Sequence, residues 1–189
     1  MGTYIFRHRI NNTTCPSKPL VWRLRETDVY FQAWWRKQGK TTIFFDDASK
    51  GNLETAGVDG VIYSPEGIRE DSFRWGLGQR TNNQEETLGL LKACQIAREK
   101  GIKEIQVFED SEILIKILNS EDHFSNQALN KTLQRLRYML QDFSSYLLFL
   151  FHILHGSNKE VDAKANLACL LPQGALSKND EEPTWNPIL

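Results

Sequence analysis

The sequence predicts an α/β domain, a five-stranded mixed sheet flanked by helices on both faces. Three observations carry this. Thr41–Phe45 (TTIFF) is β-branched or aromatic throughout and apolar on both faces, the pattern of a central strand buried above and below. Two further strand-like stretches follow before any helical periodicity, which reads as an antiparallel meander. After Thr81 helices and strands alternate, giving the order βββ-α-β-α-α-β-α and adding parallel strands to the sheet.

Residues 1–40 carry no clean periodicity. Trp22, Tyr30, Trp34 and Trp35 lie there among basic residues, and packing on the domain is the reading adopted for the last two over stacking on a base. The central strand ends in Asp46 and Asp47, then a turn with Gly51 and Asn52. Val58–Tyr63 is the second strand and Ser64–Gly67 a turn. In the third strand, Ile68–Leu77, Phe73 and Trp75 alternate with polar neighbours. Thr81, Asn82 and Asn83 can cap the first helix. Leu88, Leu91, Cys94, Ile96 and Ala97 give it an apolar stripe, and Gly101 ends it. Glu104–Phe108 is the fourth strand. A short helix over Glu112–Leu118, a loop and a longer helix over Asn126–Phe143 follow. Tyr146–Ile153 is the fifth strand and Lys159–Leu170 the last helix. The tail from Pro172, polar around Lys178–Pro183, is expected to be flexible.

A chain of 189 residues can build one domain with a real core and loose ends. Its net charge of −1 means that no overall basic field announces a nucleic acid, so such binding needs a local patch. Cys15, Cys94 and Cys169 are scattered and odd in number, which argues against a disulfide framework or a zinc knuckle and for reduced thiols inside a cell. The longest apolar run, Tyr146–Leu154, contains His152 and is too short to span a bilayer, so no membrane partner is expected. The first 25 residues hold Arg7, Arg9, Lys18, Arg23 and Arg25 and no acid. That is faintly like an organellar transit peptide. It is read instead as an arbitrary basic segment, with nucleus or cytoplasm as the expected compartment.

The chemistry collects at strand ends. Asp46 and Asp110 close the first and fourth strands; if these are adjacent and parallel, both emerge at the carboxyl edge where open α/β sheets bind ligands. Glu86 shares a helix stripe with Leu90, Ala93 and Ala97, so it projects from the core-facing side, while Glu85 is expected to point elsewhere, into solvent. Asp162 lies in the first turn of the last helix, ten residues after His152 at the end of the fifth strand. Taken singly, each has a plainer reading: a solvated turn for Asp46, a dipole-complementing acid for Glu86, a structural histidine for His152. Together, four carboxylates at one edge repel one another unless a divalent cation neutralises them, and hard oxygen donors select Mg²⁺ or Mn²⁺. Two such ions can clamp the attacking and leaving oxygens of a phosphodiester. The residues point to metal-dependent phosphoryl transfer.

The motifs resemble type 1 ribonuclease H, most closely its plant retroelement-derived, reverse-transcriptase-like branch. The family's D-G-[AS]-x-x-G-N appears as Asp46-Asp47-Ala48-Ser49-Lys50-Gly51-Asn52, and its T-N-N-x-x-E as Thr81-Asn82-Asn83-Gln84-Glu85-Glu86. Its D-S is Asp110-Ser111, and its H-x5-N-x3-D is His152, Asn158 and Asp162. The resemblance covers about Gly39 to Leu171. It implies a ribonuclease H-like fold with strand order 3-2-1-4-5 over residues 39–171, an N-terminal extension over 1–38 and a tail over 172–189. It implies cleavage of the RNA strand of an RNA–DNA hybrid, with two Mg²⁺ (Mn²⁺ as a substitute) bound by Asp46, Glu86, Asp110 and Asp162. His152 would assist proton transfer or product release. Asn52, Asn82 and Asn83 would contact the hybrid's minor groove, where 2′-hydroxyls mark RNA. Thr81 would help hold a phosphate of the DNA strand. The protein is expected to act as a monomer or as part of a larger retroelement polyprotein.

The chain departs from the family in places. Asp47 stands where Gly is usual, Glu85 and Glu109 flank catalytic acids, and the stretch Asn52–Ala56 lacks the usual Pro and Gly. No basic protrusion separates the second and third helices, so hybrid affinity would rest on Lys50, the Lys131–Arg137 helix or the basic N-terminal arm. Adjacent strand side chains alternate in face; the motif register selects Asp46 as the ligand and leaves Asp47 as a burden or an outer influence. An active hybrid endonuclease, a catalytically weak or silent nucleic-acid-binding domain and a retroelement fragment needing its polymerase part all remain open.

Overall fold

The sheet is built outward from β1 (Thr41–Lys50), whose Ile43, Phe44 and Phe45 are all buried. The computed structural model describes residues 33, 35–50, 55–109, 111–119, 124–143, 149–152 and 167–188. In chain order come β2 (Thr55–Tyr63), β3 (Arg69–Gln79), α1 (Asn82–Glu99), β4 (Ile105–Glu109), α2 (Glu112–Asn119), α3 (Gln127–Leu140), β5 (Phe149–His152), β6 (Ala175–Lys178) and β7 (Thr184–Trp185). Their order in the sheet is β5-β4-β1-β2-β3-β6-β7. β1 pairs antiparallel with β2 and parallel with β4, and β4 pairs parallel with β5. The mixed sheet and the expected order 3-2-1-4-5 are present, with two strands added beyond β3.

Alternation along β1 sends side chains to two different cores. Ile43 and Phe45 join Val58, Ile62, Leu90, Leu133 and Leu136 under the three helices. Phe44 faces the other way, stacked on Phe108 with ring centroids 4.9 Å apart and edge-on to Trp35 and Tyr63. Trp35 is thus packed, and its carbonyl accepts from Gln106 Nε2 at 3.0 Å; Trp34 lies outside the described residues. Gly89 decides how closely α1 rides on the sheet. A Cβ there would come within 2.8 Å of Val58 and 2.9 Å of Phe45.

Two boundaries differ from expectation, and a third is only partly described. β1 does not stop at Phe45; it pairs with β2 as far as Lys50↔Thr55, so Asp46 and Asp47 sit inside a strand. The hairpin partner keeps the backbone extended beyond the apolar stretch. The fifth strand is described over Phe149–His152 only, because the rest of Tyr146–Ile153 lies outside the described residues. The tail is not a loose end: β6 and β7 add to the edge of β3, and Ala175, Leu176 and Ser177 are buried. Its polar run is a turn, with Asn179 and Asp180 both at positive φ (52° and 61°) and the Asn179 side chain accepting from the Ser72 N–H at 2.8 Å. Pairing satisfies the open edge of β3. Among the described residues, no helix is long and apolar enough to cross a membrane.

Candidate active site

The site begins where β1 loses a neighbour. Its parallel pairing with β4 runs from Thr41↔Ile105 to Phe44↔Phe108 and ends there, while its pairing with β2 continues. The next two polar side chains, Asp46 and Asp47, therefore come just past the last described pair between β1 and β4. Asp46 is 3% exposed and shares the face of Phe44. Its Oδ1 accepts from the Asp47 N–H at 3.0 Å. Directly opposite on β2 is Asp59, fully buried, so the two carboxyl groups emerge side by side on one face. Sequence reading missed Asp59. Its signal was an acid in the middle of an apolar strand, VDGVIY, where only a used or paired carboxylate is tolerated.

Asp47 turns to the opposite face, the side of Phe45, and meets the first turn of α1. Here the expectation for Glu85 is overturned: it is fully buried, not solvated. The reason is helical geometry. Glu85 lies one turn before Gly89, on the stripe that the missing side chain lets down onto the sheet. Glu85 and Asp47 lie close enough to share a proton, and no described donor reaches the Glu85 oxygens. Burial, the bond to Glu85, and the charges of Glu85, Glu86 and Asp46 push Asp47 up to about 9. Burial also raises Glu85, against the Asp47 bond, which lowers it. We assign the proton to Asp47.

Glu86 is half-buried and tied to β4 by Ser111, whose hydroxyl donates to Glu86 Oε2 at 2.6 Å and accepts the Leu114 N–H at 3.2 Å. One side chain thus caps α2 and aims Glu86 at the strand edge. Thr81 and Asn82 are exposed and Asn83 half-buried at the N-terminus of α1, where the Thr81 N–H donates to Gln84 Oε1 at 3.0 Å. The backbone of His152 lies in β5 opposite Glu109. Asp110, Asp162 and Asn52 lie outside the described residues.

Among the described residues no three His, Cys, Asp or Glu side chains form a ready metal cluster. Two of the four expected ligands fall outside that set. The donors present are hard oxygens crowded enough to displace a neighbour's pKa, which suits a small divalent cation. On the outer side of α1, a cleft of about 440 Å³ is lined by Arg80, Gln84, Leu88, Lys131, Arg135 and Ile188 among others, with no acid among its lining residues.

Comparison with known proteins bears on the family and the fold. The family profile described as reverse transcriptase-like matches residues 44–168. The chain is 30% identical over 130 residues to ribonuclease HI of Halobacterium salinarum, a match spanning 69% of this chain and 64% of that protein. The crystal structure of ribonuclease H1 from the same archaeon superposes with a TM-score of 0.62 at 29% identity, over 68% of this chain and 96% of that one. A ribonuclease H1 isolated from compost, solved in complex with an RNA/DNA hybrid, has the same fold, with a TM-score of 0.62 at 22% identity, covering 69% and 96% of the two chains.

Proposed function

This chain belongs to the reverse transcriptase-like family of ribonuclease H domains, and from that premise we propose that it cuts the RNA strand of RNA–DNA hybrids. The observation that carries the reading is the end of β1. A buried aspartate stands there just past the last described pairing with β4, and a glutamate of α1 accepts a hydrogen bond from a serine two residues beyond β4. Asp46, Glu86, Asp110 and Asp162 are the residues that would hold two Mg²⁺. Bound there, the ions supply charge neutralisation and an acidified attacking water.

The protein's own groups do the rest. Ser111 holds the Glu86 carboxylate in place by a bond to one of its oxygens. Asn82, Asn83 and Asn52 would read 2′-hydroxyls across a shallow minor groove. Thr81 and the N-terminal amides of α1 suit a phosphate. Arg80, Lys131 and Arg135 supply the local positive patch that the near-neutral net charge requires elsewhere than in the overall field. His152 assists proton transfer or product release.

The buried Asp47–Glu85 pair favours a second reading, a weak or silent hybrid-binding domain, because it adds negative charge where phosphate must approach. One assay separates the two. The full chain is incubated with an RNA–DNA hybrid labelled on either strand, in Mg²⁺, Mn²⁺ or EDTA. Metal-dependent cuts in the RNA strand alone, leaving 5′-phosphate and 3′-hydroxyl ends, support the nuclease. Cutting that survives EDTA, or equal cutting of duplex DNA, refutes it. Binding without cutting moves the silent domain to first place.

A further inference from the structure

The C-terminal segment lies along one stripe of α1. Lys178 Nζ of β6 is 3.2 Å from Glu99 Oε2. Further on, Lys92 Nζ donates to Asn186 Oδ1 at 2.5 Å and sits 3.9 Å from the centre of the Trp75 ring. Ile188 then lines the cation-rich cleft together with Leu88 and Gln84 of the N-terminal half of the helix. Asn186 is held on every side: its N–H donates to the Gly174 carbonyl at 2.7 Å and its carbonyl accepts from Trp75 Nε1 at 3.0 Å. Lys92 is 3% exposed, an ammonium removed from water to fasten this segment. The tail's end is therefore a fixed part of the surface, and two residues past its anchor it becomes the apolar side of the cleft.

The opposite side is basic. Arg80 comes from the turn before α1, and Lys131 and Arg135 from successive turns of α3. Among the described residues none of the three is in an ion pair. A cleft with three free cations, an apolar wall and no acid fits a polyanionic backbone and repels a cation or an acidic-site ligand such as a basic peptide. We propose that residues 174–188 are part of the nucleic-acid-binding surface, with Ile188 closing this cleft around a phosphodiester backbone of the hybrid. The inference deepens the hybrid nuclease reading and rests on it.

The test uses the full chain, a fluorescent RNA–DNA hybrid and Mg²⁺, with Asp46→Asn in every protein so that the hybrid stays whole. Ile188→Glu puts a carboxylate among the cations and should weaken binding about tenfold, the scale of one misplaced charge. Ile188→Met keeps the wall and should bind like its parent. Lys131→Ala and Arg135→Ala, both on exposed positions of α3, should each lower the salt dependence of the affinity by about one unit of slope. Unchanged slopes in both overturn the proposal, whatever Ile188→Glu does. So does an Ile188→Glu protein that folds and binds like its parent. Cleavage of the hybrid by the unmutated chain beside either result leaves the nuclease reading standing. Binding with the expected slopes but no cleavage sinks the nuclease and keeps the cleft. A parent that binds no hybrid sinks both.

Discussion

Asp47→Asn should make the protein more stable, and more so the higher the pH. In the folded protein the Asp47 carboxyl titrates at about 9, against an ordinary value of 3.8. Between those two values the folded state holds a proton that the unfolded state has released. Stability therefore falls as pH climbs through that window, by at most about 1.4 kcal/mol per unit. From pH 3.8 to neutrality the full shift would remove about 4 kcal/mol. Glu85 shares the proton and the fold can relax, so about 2–3 kcal/mol is the working figure. Asparagine has the same shape, can still donate to Glu85, and has no proton to lose. The variant should match its parent near pH 4 and exceed it by about 2–3 kcal/mol at pH 8, or about 5–10 °C in melting temperature for a chain of this size. Urea unfolding followed by tryptophan fluorescence, in EDTA across this pH range, reads the difference. A variant no more stable at pH 8, or a gain that is the same at pH 4 and pH 8, would refute the shared-proton assignment.

Other outcomes follow from the same geometry. In the hybrid assay Asp46→Asn and Asp110→Asn should be inactive yet folded, whereas Asp47→Gly should keep activity or gain it; a dead Asp47→Gly beside an active Asp46→Asn would put the motif register off by one. Ser111→Ala loses both the α2 cap and the bond that aims Glu86. It should cost about 1–2 kcal/mol of stability and about 10–100-fold in rate, and a rate within twofold of the parent would show that Glu86 needs no such support. Gly89→Val drives a side chain into Val58 and Phe45 and should destabilise by about 2–3 kcal/mol; a neutral effect in chemical denaturation would mean that α1 does not lie this close to the sheet.

Much of the fold was legible because its signals are local. A strand apolar on both faces must be central, and TTIFF is one. Alternation in β3 and the stripe from Leu88 to Ala97 set periods of two and 3.6 that no packing detail alters. The site was legible only as spacing. The motifs named Asp46 and Glu86, but nothing in them said that Ser111 would bond Glu86, because that bond depends on β4 ending beside the first turn of α1. Glu85 was misplaced for a related reason. Its direction depends on how far the helix sinks onto β1, and Gly89 sets that depth through contacts with residues more than thirty positions away.

The amino-acid sequence by itself determined the central strands and the helices that cover them, and which acids carry the family's motifs. Tertiary structure alone decided what those acids have for neighbours. Asp59 stands beside Asp46 because of a cross-strand register set thirteen residues apart along the chain. The tail became two strands because β3 offered an open edge and Lys92, Trp75 and Gly174 offered bonds to Asn186. Local composition there, Lys178-Asn179-Asp180-Glu181-Glu182-Pro183, is that of a solvated loop. Its order comes from partners about a hundred positions away, and a polar segment has no periodicity from which such partners could be read.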